Sequence, residues 1–421
     1  MRKAFIILIF LSLFISACQS DVSIDNTEET QQKVTLTIRN PKIEISPVFE
    51  EMIQVYEKEH PHVKIDVHTV GGALDDYSDL KAQMAAEDGP DIFTNKGYES
   101  AALWKPYLED LSDQPWIKNA YEETLKPIKM NGHVYGMPIN LEAYGFIYNK
   151  ALFEEAGIEE LPSTLTELKA AAQKLEESGI TAFSTGYYEK WNLGDHLMNV
   201  AIAQQDDPDK FIKGLKNEKT SIENNDNFKQ LIELLDLTLE YGEEDPLSTD
   251  YMMEIQRFTS GKTAMILQGN WIQPMIDKLQ PDMKIGILPI PINEEIEKST
   301  LIIHTSGYWV VNKQTSPEKK KEAKRFLNWM VSSEQGQKLM TERLRFIPAF
   351  EHVDMQRADP LTSEIVHYYK KNRTLSYIWS DIPTSVKREF GNDTQRYIKH
   401  GWNHTQLLKA YQKSWEQAQS E

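Results

Sequence analysis

The sequence contains a single cysteine, Cys18, and this scarcity excludes several kinds of site. One thiol near the start of the chain provides no disulfide framework, no thiolate metal site and no thiol catalyst in a folded body. Basic residues are also in the minority, with 46 Lys and Arg against 64 Asp and Glu and a net charge of −18. A surface of this charge repels nucleic-acid phosphates and anionic lipid headgroups, so we expect no nucleic-acid partner.

Long apolar runs are lacking after the first 18 residues, and the early run at residues 4–15 is too short to span a bilayer. Two basic residues precede this run, and Ile-Ser-Ala-Cys follows it at 15–18. Residues 1–17 resemble a bacterial lipoprotein signal peptide. The resemblance implies that Cys18 becomes the first mature residue, carries a lipid and anchors the protein to the extracytoplasmic face of the cell membrane. A buried N-terminal helix is the alternative, although the run has no polar face.

Residues 18–33 have the composition of a flexible tether. The segment QSDVSIDNTEETQQK at 19–33 is polar, acidic and without aromatic residues, so it cannot bury enough apolar surface to fold. The rest of the 421-residue chain is long enough for two ordinary domains or one two-lobed body. We therefore expect the folded part to begin near Val34.

The folded part begins with alternating strand and helix patterns. Residues 34–38 and 63–70 alternate as strands do, and Ser46-Pro47 provides a cap and first turn for the helix between them. This order predicts a βαβ unit with parallel strands and therefore an α/β fold. Further strands are predicted at 91–94, at the end of 258–267 and at 285–288, and further helices at 80–87, 163–177, 228–241, from 316 and beyond 357.

Two stretches have the pattern expected of strands that cross between lobes. In the first, residues 134–148, Pro138 and Gly145 interrupt what would otherwise be one long strand. The second is HTSGYWVVN at 304–312, which follows an apolar strand and a proline-containing loop. We therefore expect two lobes joined at these two places.

Four segments, taken in order, resemble the family 1 extracellular solute-binding proteins of ABC importers. No segment is diagnostic alone, but the four follow a lipoprotein-like leader and span most of the chain. They are GPDIF at 89–93, YGMPINLEAYGFIYNKALFEEAGI at 135–158, FTSGKTAMILQGNW at 258–271 and SGYWVVNKQTSPEKKKEAKRFLNWM at 306–330.

The resemblance implies a fold, a domain division and a function. The fold would be α/β and two-lobed, like the periplasmic binding proteins, with hinge crossings and a ligand cleft between the lobes. We assign residues 34–141 plus 264–309 to lobe 1 and residues 142–263 plus 310–421 to lobe 2. The implied function is to bind a sugar or oligosaccharide by cleft closure and to deliver it to a membrane permease.

Sugar binding requires aromatic rings against the faces of the sugar and polar groups around its rim. Trp271 matches the position at which the family stacks an indole on a sugar ring, and Glu142 matches an acidic residue just past the first crossing. A core tryptophan and a hinge salt bridge are the structural alternatives for these two residues. Further candidate ligand-binding residues are Asn40, Asn95, Lys96, Tyr187, Trp191, Asn192, His304 and Trp379.

The segment Thr94-Asn95-Lys96 departs from a maltodextrin-binding member of the family. That member has a tryptophan and an aspartate in the corresponding loop, and neither occurs here. The departure counts against a maltodextrin ligand.

Catalytic motifs are lacking as well. The chain has no P-loop, HExxH or GxSxG motif and no cluster of metal-ligand spacing, and no pair of carboxylates is singled out for glycoside hydrolysis. We therefore expect a monomeric receptor without a cofactor or enzymatic activity, serving a permease and an ATPase on other chains. The alternatives are a receptor for another polar solute such as an amino-sugar conjugate, a surface glycoside hydrolase and an adhesin.

Overall fold

The computed structural model describes residues 33–70, 76–296, 299–354, 359–376 and 382–419. The leader, Cys18, almost all of the tether and Trp379 lie outside these ranges. No helix within the described ranges is long and apolar enough to cross a membrane.

Most strands of the described chain belong to two sheets. The strands are β1 (Val34–Asn40), β2 (Val63–Thr69), β3 (Ile92–Asn95), β4 (Lys129–Met130), β5 (His133–Val134), β6 (Met137–Pro138), β7 (Leu141–Asn149), β8 (Thr181–Ser184), β9 (Thr263–Gly269), β10 (Ile285–Leu288), β11 (Leu301–Thr305), β12 (Tyr308–Val311) and β13 (Thr374–Ser376). The first sheet has the strand order β2-β1-β3-β12-β6, and the second has the order β13-β11-β7-β9-β8, with β10 also paired to β7. The short strands β4 and β5 form a separate hairpin at the Asn131-Gly132 turn.

Several helices begin at side-chain caps. Ser316 caps the helix Pro317–Ser332 through the backbone N–H of Lys319, and Thr164 forms a capping box with Glu167 at the helix Leu165–Glu177. Ser46, the predicted cap of the first helix, is instead its first residue, and no side-chain cap bond is made there. The helices are α1 (Ser46–Glu59), α2 (Asp76–Ala85), α3 (Tyr98–Trp104), α4 (Glu122–Leu125), α5 (Lys150–Glu155), α6 (Leu165–Glu177), α7 (Met198–Ala203), α8 (Pro208–Lys216), α9 (Asp226–Glu240), α10 (Tyr251–Thr259), α11 (Gln273–Leu279), α12 (Pro317–Ser332), α13 (Glu334–Lys338), α14 (Pro360–Lys370), α15 (Thr384–His400) and α16 (His404–Gln419).

The first lobe is built on the predicted βαβ unit. Strands β1 and β2 pair in parallel over their full lengths, and α1 between them buries the apolar face that includes Met52 and Tyr56. The hydrophobic core of this lobe combines residues from 34–139 with residues from 308–353. Strand β12 and helix α12 therefore complete the first lobe, although they come late in the chain.

The predicted lobe boundaries are wrong after residue 263. Strands β9, β10 and β11 all pair with β7 of the second sheet. Residues 264–305 therefore belong to the second lobe. Residues 308–353 return to the first lobe because β12 pairs with β3 and the following helices pack on the first core. The second lobe ends with α14 to α16, and Phe390 and Tyr411 of these helices lie in its core.

Both predicted crossings are confirmed, and they lie side by side. The chain leaves the first sheet at β6 and enters the second at β7, and it returns between β11 and β12. Ser306 N–H donates to Asn140 O at 3.0 Å, and Ile139 N–H donates to Gly307 O at 3.0 Å. A third connection was not predicted: Leu141 N–H donates to Ile347 O at 2.8 Å on the path from α13 to α14.

Candidate functional site

A buried ion pair marks the junction of the two lobes. Lys42 follows the end of β1, and its Nζ lies 2.5 Å from Glu142 Oε1 on the first strand of the second lobe. The same ammonium lies 3.4 Å from Glu44 Oε1. We call Lys42, Glu44 and Glu142 the junction cluster.

The junction cluster keeps its Lys42–Glu142 pair charged. Burial opposes the charge on Lys42, but Glu142 and Glu44 outweigh it and the pKa of Lys42 is raised. Burial likewise opposes the charge on Glu142, but Lys42 and then His304 outweigh it and the pKa of Glu142 is lowered. Glu44 behaves differently, because burial raises its pKa despite the proximity of Lys42.

The second crossing brings two more predicted residues to this place. His304 on β11 faces Glu142 on β7 in the antiparallel register. Lys96 follows β3, and its Nζ donates to Ser306 O at 3.2 Å. Lys96 is solvent-exposed, but groups of both lobes surround its ammonium; the loss of hydration, followed by repulsion from Lys42, lowers its pKa.

An indole lies at the carboxyl end of β9, where the sequence predicts it. The Trp271 ring is half-buried and stacks on Tyr144 with 6.1 Å between ring centroids, and its centroid lies 5.2 Å from that of His196. Its Nε1–H donates to Gln268 Oε1 at 2.9 Å. A methyl group on Gly269 would overlap the indole, so glycine is required for this placement. The protein thus fixes the ring and leaves part of its surface uncovered.

A second half-buried indole lies beside the first. Trp191 contacts His196 edge-on at 5.4 Å and Tyr251 at 5.9 Å between centroids. Burial lowers the pKa of His196 to about 3, so this imidazole is neutral at physiological pH. The His196 and His304 rings lie 6.0 Å apart, which connects the indoles to the junction cluster. We call Tyr144, Trp191, His196, Tyr251 and Trp271 the aromatic cluster.

The aromatic cluster is supported by a π-helix, Asn192–Leu197, which directly follows Trp191. Single π-turns of this kind often occur at functional sites. Gly194 in this turn approaches α15 so closely that a methyl group would overlap the Lys387 carbonyl oxygen. The Lys387 ammonium also pairs with Asp195 at 3.3 Å. These contacts fix His196 relative to the C-terminal helices.

Three predicted asparagines are buried and support neighbouring side chains. Asn40 accepts from Lys42 N–H at 3.0 Å and donates to Lys42 O at 2.9 Å, which closes the turn that carries Lys42. Asn95 accepts from Gly97 N–H at 2.8 Å and so shapes the loop that carries Lys96. Asn192 accepts from the Tyr144 hydroxyl at 3.2 Å, beneath Trp271. Their bonding groups are directed into the protein.

The position of Tyr187 contradicts its prediction as a ligand-binding residue. Its side chain is 1% exposed, lies in the core of the second lobe and exchanges a 2.8 Å hydrogen bond with the Thr238 hydroxyl. Tyr187 therefore packs in the core instead of facing a ligand. Trp379, the last predicted ring, lies outside the described residues.

Sequence reasoning missed five residues of the two clusters: Lys42, Glu44, Tyr144, His196 and Tyr251. Lys42 comes two residues after Asn40 at the same strand end, and its proximity to that candidate was the available signal. His196 and Tyr251 carry no motif. They join the site only because the π-helix and α10 pack against the same edge of the second sheet.

A groove of about 550 Å³ opens where the first lobe faces the C-terminal helices of the second. Tyr98 and Ala102 of α3 form one wall, and Val386 and Trp415 form the other.

The described residues contain no group of three or more His, Cys, Asp or Glu side chains that could hold a metal ion. The arrangement therefore offers fixed aromatic surfaces and paired charges at the boundary between two lobes.

Known proteins resemble this chain in sequence and in architecture. The family model for bacterial extracellular solute-binding proteins matches residues 41–337, more than half of the chain. An ABC transporter extracellular-binding protein of Pyrococcus horikoshii is 30% identical over 259 residues, which span 58% of this chain and 57% of that protein. The melibiose/raffinose/stachyose-binding protein MelE of Bacillus subtilis is 25% identical over 345 residues, 78% of this chain and 77% of MelE.

The solved structures confirm the predicted fold class. The structure of a chitin oligosaccharide binding protein matches with a TM-score of 0.80 at 22% identity, covering 92% of this chain and 100% of that chain. Its two-lobed α/β architecture agrees with the two sheets, the two cores and the crossings described above. The chain belongs to the family of bacterial extracellular solute-binding proteins.

Proposed function

We propose that this protein is the substrate-binding component of an ABC importer and that it captures a sugar or oligosaccharide between its lobes. The observation that carries the proposal is the convergence of two half-buried indoles, Trp191 and Trp271, with polar side chains at the crossings. Indole faces suit the C–H faces of sugar rings, and the polar groups suit hydroxyls. The names of MelE and of the chitin oligosaccharide binding protein support the same class of ligand.

Closure of the lobes would couple binding to delivery. A ligand stabilises the closed form only through contacts that it makes with both lobes. Lys96 belongs to the first lobe and Trp271 to the second, and both lie near the crossings. A sugar held between them would favour the closed form, which the permease would then receive.

The proposal includes attachment to the membrane through Cys18. It is supported by the leader-like residues 1–17 and the polar tether that follows them. Two acyl chains are sufficient for stable anchoring, whereas one chain gives only marginal binding. We expect Cys18→Ala to shift the protein from the membrane fraction to the soluble fraction and to change its mobility on a gel. An unchanged distribution and mobility would contradict the anchor.

The proposal also holds that the bound sugar is returned unchanged. Retaining and inverting glycosidases need one carboxyl group free to donate a proton and another free to attack or to activate water. Glu142 and Glu44 instead share Lys42. Hydrolysis of a bound glycan by the purified protein, abolished by replacing one carboxylate, would move the chain to the enzyme class.

The test of ligand class is a thermal-shift screen against carbohydrates of different length and linkage. A ligand that binds only the folded protein raises Tm in a concentration-dependent way. We expect at least one carbohydrate to do so for the wild type and for Trp402→Ala, but far more weakly for Trp271→Ala. Trp402 is a matched control because it is also half-buried but follows the far end of α15. A screen in which amino acids or peptides shift Tm and carbohydrates do not would contradict the proposal.

A further inference from the structure

We propose that the ligand carries an anionic substituent, a carboxylate or a sulfate, and that Lys96 binds this group. The inference rests on the proposed carbohydrate-binding function and narrows it to acidic sugars. The inference follows from the position of Lys96 at the second crossing and from the carboxylate partners that the neighbouring lysines already have. It also follows from the N–H donors of Lys96 that remain for a ligand.

Lys96 extends from the first lobe to the second crossing. Its ammonium donates one hydrogen bond, to the Ser306 carbonyl at 3.2 Å, and the residue remains solvent-exposed. An ammonium group has three donors, so two remain for a ligand. Ser306 lies at the crossing itself, between β11 and β12, so this cation lies at the boundary between the lobes.

The neighbouring cations already have carboxylate partners. Lys42 pairs with Glu142 and Glu44, and Lys387 pairs with Asp195. Within the ranges that the structure describes, Lys96 makes no such ion pair, and its hydrogen bond goes to an uncharged carbonyl. An exposed ammonium without a carboxylate partner of its own thus lies at the crossing between the lobes.

The carboxylates around Lys96 do not provide it with an ion-pair partner. Lys42 and Lys387 repel Lys96, whereas Asp195 and Glu142 attract it, and each of these carboxylates has its own lysine. An anionic group on the ligand would supply charge-assisted hydrogen bonds that a neutral hydroxyl cannot match.

The ion pair between Lys42 and Glu142 also argues against the amino-sugar alternative. A ligand amine would need a free carboxylate, and Glu142 already holds Lys42 at 2.5 Å. A ligand amine near Lys96 would also meet a like charge, which is unfavourable in a partly desolvated cleft. The aromatic cluster is compatible with an acidic sugar, because a uronic acid ring retains the C–H faces that stack on indoles.

The experiment compares matched sugars by isothermal titration calorimetry. Each neutral oligosaccharide is paired with its uronic acid counterpart and its sulfated counterpart, of equal length, linkage and ring stereochemistry. We expect an acidic member to bind at least about tenfold more tightly than its neutral partner. Lys96→Gln should remove this preference, and Lys96→Arg should retain most of it because the charge is kept. Lys262→Gln is the control, since Lys262 lies exposed in the turn before β9.

The possible outcomes separate the two proposals. A preference for either the carboxylate or the sulfate that Lys96→Gln abolishes supports the inference and identifies the group. Equal binding of neutral and acidic partners, or an equal loss for both in Lys96→Gln, overturns the inference while leaving carbohydrate binding intact. Binding by no carbohydrate of any charge overturns the proposed function itself. Urea unfolding of the Lys96 variants verifies that each is folded before titration.

Discussion

Lys42 and Glu142 form an ion pair of 2.5 Å that joins the end of the first strand of one lobe to the first strand of the other. Their side chains are 14% and 5% exposed, so water solvates neither charge fully. Glu44 is a second partner of Lys42 at 3.4 Å. The pair therefore joins the two lobes, and Lys42 is not available to a ligand as an unpaired cation.

The junction cluster predicts that replacing Lys42 and replacing Glu142 cause unequal losses of stability, and that the two losses are coupled. Lys42→Met leaves two buried carboxyl groups without their cation and should lower the free energy of unfolding by about 3 kcal/mol. Glu142→Gln should cost less, because Glu44 still faces Lys42. The double variant should be more stable than the sum of the two single losses implies, by roughly 1–3 kcal/mol. Urea unfolding of the four proteins measures this coupling, and strictly additive losses would contradict the pair.

Trp271 predicts a loss of affinity with little loss of stability. Trp271→Ala should weaken carbohydrate binding about ten- to a hundredfold, since it removes a flat apolar surface of roughly 1.5–3 kcal/mol. Calorimetric titration measures the affinity, and melting of the free protein measures the stability. A large fall in the Tm of the free protein with unchanged affinity would instead make Trp271 a core residue.

Gly194 predicts a steric defect that reaches the aromatic cluster. A methyl group there would overlap the Lys387 carbonyl oxygen, so Gly194→Ala should displace the π-helix from α15 and lower the free energy of unfolding by about 1–3 kcal/mol. Lys387→Ala keeps that carbonyl and removes only the ion pair with Asp195. We expect Gly194→Ala to be the more damaging variant in urea unfolding. Equal losses would point to the side chain of Lys387 instead of the backbone contact.

Glu254 predicts a pH dependence of stability. Its side chain is buried, and its Oε2 accepts from Nε2–H of Gln268, the residue that also accepts from Trp271, at 2.8 Å. Burial raises the pKa of Glu254 well above the ordinary 4.5. A raised folded-state pKa gives stability that is complete below pH 4.5 and is lost as the pH rises towards the folded pKa. Glu254→Gln removes this dependence, so its stability relative to wild type should increase from pH 5 to pH 8.

Urea unfolding at several pH values between 5 and 8 measures the difference between wild type and Glu254→Gln. Glu244→Gln is the control, because Glu244 is exposed and should leave the dependence unchanged. A difference that does not vary with pH would show that Glu254 is already ionised in the folded protein.

Local patterns were sufficient to predict most elements and both crossings. Alternation at β1 and β2, the Ser316 cap and the interruptions at Pro138 and Gly145 are properties of neighbouring residues. The lobe assignment after residue 263 failed because strand pairing is a long-range property. An apolar strand such as β9 has the same pattern whichever sheet receives it.

The prediction of the candidate site was limited in the same way, because the site depends on contacts between distant parts of the chain. Asn40 and Asn95 were predicted as ligand-binding residues, but each asparagine closes a turn, and the lysines that follow them extend to the junction. Whether such an asparagine bonds to its own turn or faces a ligand depends on the folded backbone, which the sequence does not reveal. The position of Trp271 was predictable because Gly269-Asn270-Trp271 lies in a segment that resembles the family.

The most direct test of the account is small-angle X-ray scattering from the purified protein with and without a saturating carbohydrate. The account predicts a smaller radius of gyration with the ligand, because contacts to both lobes favour the closed form. A carbohydrate that fails to bind by calorimetry is the control and should leave the scattering unchanged. An unchanged radius of gyration at proven saturation would contradict capture of the sugar by closure of the two lobes.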